Sequence, residues 1–167
     1  MRTLAICAVL LSQLTLPGIA QQASTQQPET TSCTFDDGHQ MTIRYNNSAS
    51  SRREEPHDGR LWMPGGVPMI LFTQTDLILN HADIPAGAYS MYFIPDKKKW
   101  TVIVNKNVTP GSEYNPTEDI ARAEMDMGRL SSPLKQPEVA LGHVAPKQCN
   151  MRLYYGKTGV WTEFEEK

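Results

Sequence analysis

The sequence contains no apolar run long enough to cross a bilayer as a helix. It has no Cys-x-x-Cys, which removes the usual dithiol redox motif, and no Gly-x-Ser-x-Gly, which removes the common serine-hydrolase elbow. Basic residues are not in excess. Lys and Arg number 16 against 18 Asp and Glu, a net charge of −2, so nothing in the balance attracts nucleic acid or an anionic membrane. The runs Arg52-Arg53-Glu54-Glu55 and Lys97-Lys98-Lys99 read as solvated loops. The 4 histidines, His39, His57, His81 and His143, never fall at i, i+2 or i+4. The local spacing therefore points to no metal centre, and no cofactor is expected.

The N-terminus has the layout of a secretory signal peptide over residues 1–20. Met1 and Arg2 give a positive start, Leu4 to Leu16 an apolar stretch, and Gly18-Ile19-Ala20 a small-x-small cleavage site. The apolar stretch is too short to span, so no membrane segment is expected after cleavage. Residues 21–32 are polar and low in complexity, and read as a flexible leader to a single domain over 33–167. An exported chain reaches the periplasm or the medium. Cys7 would leave with the signal, and Cys33 and Cys149 would remain. In an oxidising compartment such a pair is expected to close. The loop would take in most of the chain, worth about 4–5 kcal/mol in chain-entropy models.

The dominant hydrophobic period is two. Met41, Ile43 and Tyr45 alternate with Thr42 and Arg44 after the turn signal Asp36-Asp37-Gly38. Asn46 to Arg60 reads as a long polar loop. Val67 to Thr73 is nearly all apolar, as in a strand covered on both faces. A short strand at Asp76 to Leu79 ends in the turn-prone Asn80-His81. Tyr89, Met91 and Phe93, then Trp100, Val102 and Val104, form one aromatic face of a hairpin. Asn115-Pro116-Thr117-Glu118 has helix-start chemistry and predicts one short helix near 116–122. Arg122 to Met127 alternates again, and Pro133 and Pro137 mark a loop. Val139 to Val144, Asn150 to Tyr155 and Val160 to Phe164 read as three more strands, the last two joined by a turn at Gly156 to Gly159. The expectation is an all-β antiparallel sandwich of about nine short strands, its disulfide tying the first strand to the penultimate one.

Several motifs resemble a bacterial secreted family catalogued as domain of unknown function 2911. They are Pro85, Ala86, Gly87 and Tyr89; Ile94 and Pro95; Trp100, Asn105 and Lys106; and Tyr114, Asp119 and Arg122. Cys33 to Gly38 and Cys149 to Leu153 are similar to it as well. The resemblance implies an exported domain and no particular activity. One stretch departs from the family pattern. Where members carry Trp-Arg-Thr-Gly-Ala-Asn-Glu, this chain has Trp62-Met63-Pro64-Gly65-Gly66-Val67-Pro68. A polar site built there would be lost.

Catalytic residues are not evident. Glu113 and Asp119 are the best carboxylate pair, yet a charged loop explains them equally well, and Asp119 is expected to form an ion pair with Arg122 between the short helix and the next strand. The leading expectation is a binding module for a small ligand, a glycan, a peptide or an envelope protein. Trp62, Tyr114 and Glu113 are the candidate contacts. A structural or assembly protein of the cell envelope is the alternative, and a secreted hydrolase a more distant one.

Overall fold

The computed structural model describes residues 27–48 and 55–167. The expected signal peptide, the first part of the expected leader and Arg52 to Glu54 lie outside the described residues. Nine antiparallel strands follow: β1 (Glu29–Thr34), β2 (Gln40–Tyr45), β3 (Met69–Thr73), β4 (Leu77–Leu79), β5 (Ala82–Ile84), β6 (Gly87–Ile94), β7 (Trp100–Asn105), β8 (Asp119–Ala145) and β9 (Gln148–Glu166). Their order across the sheet is β1-β2-β3-β6-β7-β8-β9-β4-β5.

β8 makes this one continuous sheet in two layers. Its first part pairs with β7, from Asn105↔Asp119 to Trp100↔Met125. The remainder pairs with β9, from Asp126↔Trp161 to Ala145↔Gln148. The far part of β8 returns to β1, where the Leu141 N–H donates to Thr31 Oγ1 at 3.2 Å. The inner faces enclose one core. Met41, Ile43, Leu71, Met91, Phe93 and Val102 come from the first layer; Leu77, Ile84, Val139, Met151, Leu153 and Phe164 come from the second. The disulfide between Cys33 and Cys149 joins β1 to β9 across this core.

The period-two reading therefore holds for the hairpin faces. Tyr89, Met91, Phe93, Trp100, Val102 and Val104 are all core residues. The Asn80-His81 turn is also present. Both residues have positive φ, as a two-residue hairpin between Leu79 and Ala82 demands.

Other expectations need correction. β1 begins at Glu29, so the last four residues of the expected leader form a strand, with Thr30↔Arg44 and Ser32↔Thr42 in register. Their backbone groups satisfy β2, which polar composition alone does not reveal. The helix near 116–122 shrinks to a single 3-10 turn at Pro116–Glu118. Its cap is as expected, since Asn115 Oδ1 accepts from the Thr117 N–H at 3.1 Å. The strand starts at once, at Asp119, because Asn105 recruits that residue into the ladder.

The last strands are not short, and there is no turn at Gly156 to Gly159 among the described residues. Tyr154, Gly156 and Thr158 all face β8 partners within one strand. The prolines expected to open a loop instead disturb a ladder. Register shifts fall between Arg129 and Leu134 and between Leu134 and Glu138, flanking Pro133 and Pro137. Proline has no N–H to donate, so a bulge is how a strand passes it. As a result the disulfide ties the first strand to the last, rather than to the penultimate one.

Candidate functional site

The outer face of the first layer carries the residues of interest. Alternation puts Ser90 and Tyr92 of β6 on the face opposite the core, beside Ile103 and Asn105 of β7 in register. A sheet face turned to solvent would leave them wet. Instead Ser90, Tyr92, Ile103 and Asn105 are all at most 2% exposed. The segment from Lys106 to Glu118 covers them. Ser90 Oγ donates to the Asn107 carbonyl at 2.6 Å, and the Tyr114 ring stands edge-on to Tyr92 with centroids 4.9 Å apart.

A polar lock holds this cover down. Asn105 Nδ2 donates to the Asn115 carbonyl at 2.9 Å and to Asp119 Oδ1 at 2.8 Å. Tyr114 Oη donates to Asp119 Oδ2 at 2.8 Å. Arg122 Nη2 donates to both, at 2.7 Å to Tyr114 Oη and 2.6 Å to Asp119 Oδ2. In a regular strand, residues three apart point to opposite faces. The register shift between Val104 and Asn105 supplies the extra residue that turns Asp119 to the side of Arg122. The expected ion pair is therefore present, but a β-bulge positions it rather than a helix. Burial, the bond to Asp119 and the Asp119 charge push the Tyr114 hydroxyl up to about 12, with Arg122 opposing.

Beside the lock the same face is open. The apolar run from Val67 to Thr73 predicts cover on both faces, but among the described residues only one side of β3 is covered. Met69 and Leu71 are fully buried, while Phe72 remains 39% exposed. Phe72, Ile70, Val67 and Pro68 form one wall of a groove of about 440 Å³. Val108 to Gly111, from the covering segment, form the other, and Arg44 of the neighbouring β2, opposite Ile70, also lines it. The Arg44 guanidinium lies 5.6 Å from the Phe72 ring centre. Val67 and Pro68 make their part of the wall apolar.

The three candidate contacts separate. Trp62 is 4% exposed and belongs to the core. Its ring packs on Trp100 at 5.4 Å and Tyr155 at 5.2 Å, and its backbone pairs with Phe93. Most of the ring is enclosed, and what remains lines a small cavity with His57, Arg60 and Met63. Tyr114 is part-buried and committed to the lock. Glu113 is exposed, while the Asp119 carboxylate is engaged by the lock. Sequence reasoning did not single out Phe72, Ile70, Arg44 or Val108. The signal available was the unbroken apolar run at Val67 to Leu71, read as doubly buried.

Fold and site define a two-layered antiparallel β protein with a loop locked over one outer face and an apolar groove at the loop's edge. The chain belongs to the family described as "Protein of unknown function (DUF2911)", which matches residues 26–164. No curated protein matches it. No solved structure matches it either.

Proposed function

We propose that this protein is a binding module, and that its ligand is a small molecule with an apolar body and a carboxylate or other anionic group. The observation that carries this reading is the groove. Large apolar residues stay partly open there, with Phe72 of β3 and the flanking Val67 and Val108 each about 39–49% exposed. Exposed apolar side chains that line one concave surface mark interaction sites more often than scattered ones do. A volume of about 440 Å³ suits a small organic ligand. Arg44 forms no ion pair among the described residues, so its charge is available to an anion. The lock supports the reading by fixing the second wall in place without a ligand, which lowers the ordering cost of binding.

Export to the periplasm or medium belongs to the same proposal. A disulfide between distant cysteines fits an oxidising compartment, and no helix among the described residues is long and apolar enough to cross a membrane.

The test is a thermal-shift screen of the oxidised protein against aliphatic and aromatic carboxylates, their neutral amides, cell-wall sugars and short peptides. A ligand at about 100 times its dissociation constant adds about 2.7 kcal/mol of stability. Carboxylates are expected to raise the melting temperature and amides to do so less. Phe72→Asp should abolish the shift, and Arg44→Ala should erase the preference for the anion. A shift produced only by sugars or peptides, or one that survives Phe72→Asp, overturns the groove as the site.

A further inference from the structure

At the opposite end of the molecule three distant segments converge. Asp37 sits in the turn between β1 and β2, and His39 is the last residue before β2. Asp37 Oδ1 accepts the His39 N–H at 2.9 Å, which aims Oδ2 at His39 Nδ1, 2.6 Å away. Glu166 is the last residue of β9. Its N–H donates to the Lys147 carbonyl at 2.7 Å, while the Asp36 N–H donates to the neighbouring Pro146 carbonyl at 3.2 Å. The tight turn between β8 and β9 thus sets the end of β9 beside the turn that holds Asp37.

Glu166 needs an explanation. It is 4% exposed, and its Oε1 has no hydrogen-bond partner among the described residues. A buried carboxylate oxygen without a partner is costly. The adjoining Lys167 does not turn back to it, since its Nζ reaches Asp83 at 2.7 Å. What Oε1 faces is His39 Nδ1, at 3.4 Å.

We propose that Asp37, His39 and Glu166 bind a divalent transition-metal ion, with water in the remaining coordination positions. One donor atom from each residue lies within 4.8 Å of the other two. Around a zinc ion with bonds of about 2.0–2.2 Å, donors stand roughly 3–4 Å apart, so small side-chain rotations complete the set. One imidazole nitrogen and two carboxylate oxygens suit zinc, manganese or iron(II), whereas copper(I) prefers thiolate and thioether donors. The only cysteines among the described residues are joined in the disulfide. His39 and Asp37 are about half exposed, at 51% and 47%, so an ion and its water have a way in. The buried Glu166 supplies the charge that the ion would neutralise. The metal would clasp the first hairpin to the end of the last strand, and its open positions would hold water or an incoming anion. No local spacing in the sequence announces the site, because Glu166 arrives from the far end of the chain.

The alternative is a metal-free ion pair between protonated His39 and the two carboxylates. Zinc titration of tag-free, oxidised, chelator-treated protein separates them, with retained metal measured by elemental analysis after gel filtration. The proposal expects one zinc per chain and a raised melting temperature. His39→Ala and Glu166→Gln should each weaken binding at least about tenfold, since even outer-shell partners of a metal are worth that much. Asp37→Asn, at an exposed position, gives the same reading should Glu166→Gln fail to fold. His57→Ala should change nothing. No retained zinc, or zinc retained equally by the His39, Glu166 and Asp37 variants, overturns the proposal.

Discussion

Tyr114 Oη donates to Asp119 Oδ2 at 2.8 Å, and one guanidinium nitrogen of Arg122 bridges the two groups. These three residues with Asn105 hold a loop that buries the outer face of β6 and β7. Asp119 is the hub, because both its oxygens are engaged and its side chain is only 10% exposed.

Asp119→Ala should therefore loosen the covering loop. It removes one of the two acceptors of Asn105 Nδ2, leaving the Asn115 carbonyl, and takes the counter-ion from Arg122. Hydrogen bonds to charged groups are worth about 1.5–3 kcal/mol, so a loss of about 2–3 kcal/mol in unfolding free energy is expected. Hydrogen exchange should rise over residues 106–118 and stay unchanged in β4 and β5. Uniform exchange across the chain would show that the lock is not local.

The same bonds predict an alkaline transition. Tyr114 ionises near 10 when unfolded and is pushed up to about 12 in the fold. Burial shifts Tyr45, Tyr89 and Tyr92 in the same direction. Below the unfolded value both states keep the proton, and the stabilising effect is intact. Above it the unfolded chain loses protons that the native state retains, so stability falls with rising pH until the folded value is passed. Urea unfolding followed from about pH 9 to pH 12 should show that decline, and Tyr114→Phe should make it shallower. Equal slopes in the two proteins would remove Tyr114 as a contributor.

How much of this was legible in the sequence depended on the distance between partners. Local patterns carried well. The alternation of Tyr89, Met91 and Phe93 against Ser90 and Tyr92 gave the right faces, and Asn80-His81 gave the right turn. What failed depended on partners far along the chain. Tyr92 and Ser90 point away from the core and are nonetheless buried, because a loop returns over them. Trp62 precedes a loop but is drawn inward by Trp100 and Tyr155. Phe72 belongs to a run that looks doubly buried, yet among the described residues it stays 39% exposed. Pro133 and Pro137 suggested a break, but a long partner strand carries β8 past them.

The disulfide gives a stability prediction with a large magnitude. It closes a sequence separation of 116 residues. Constraining so long a loop in the unfolded chain is worth about 4–5 kcal/mol in the chain-entropy account. Reduction, or the double change Cys33→Ser with Cys149→Ser, should lower the melting temperature by many degrees. β1 should open first, since it is an edge strand. A native thiol titre of two on protein isolated without reductant would sink the bond itself.

Two glycines with nearly the same backbone angle separate strain from space. Gly65 has φ +75° and Gly59 has φ +72°. Either substitution to alanine incurs the left-handed cost, about 1–2 kcal/mol. A Cβ on Gly59 would meet nothing within 4 Å. On Gly65 it would run into the backbone carbonyl of Asn46, which cannot rotate aside as a side-chain tip could. Asn46 also donates to the Gly65 carbonyl at 3.0 Å, so the two segments cannot simply part. Gly59→Ala should thus cost only the conformational term. Gly65→Ala should cost several kcal/mol, at the level of an overpacked core. Because Val67 and Pro68 follow after only Gly66, Gly65→Ala should also shift one wall of the groove and weaken the binding of any carboxylate found there. Equal melting temperatures for the two variants would place the segment around Gly65 away from Asn46.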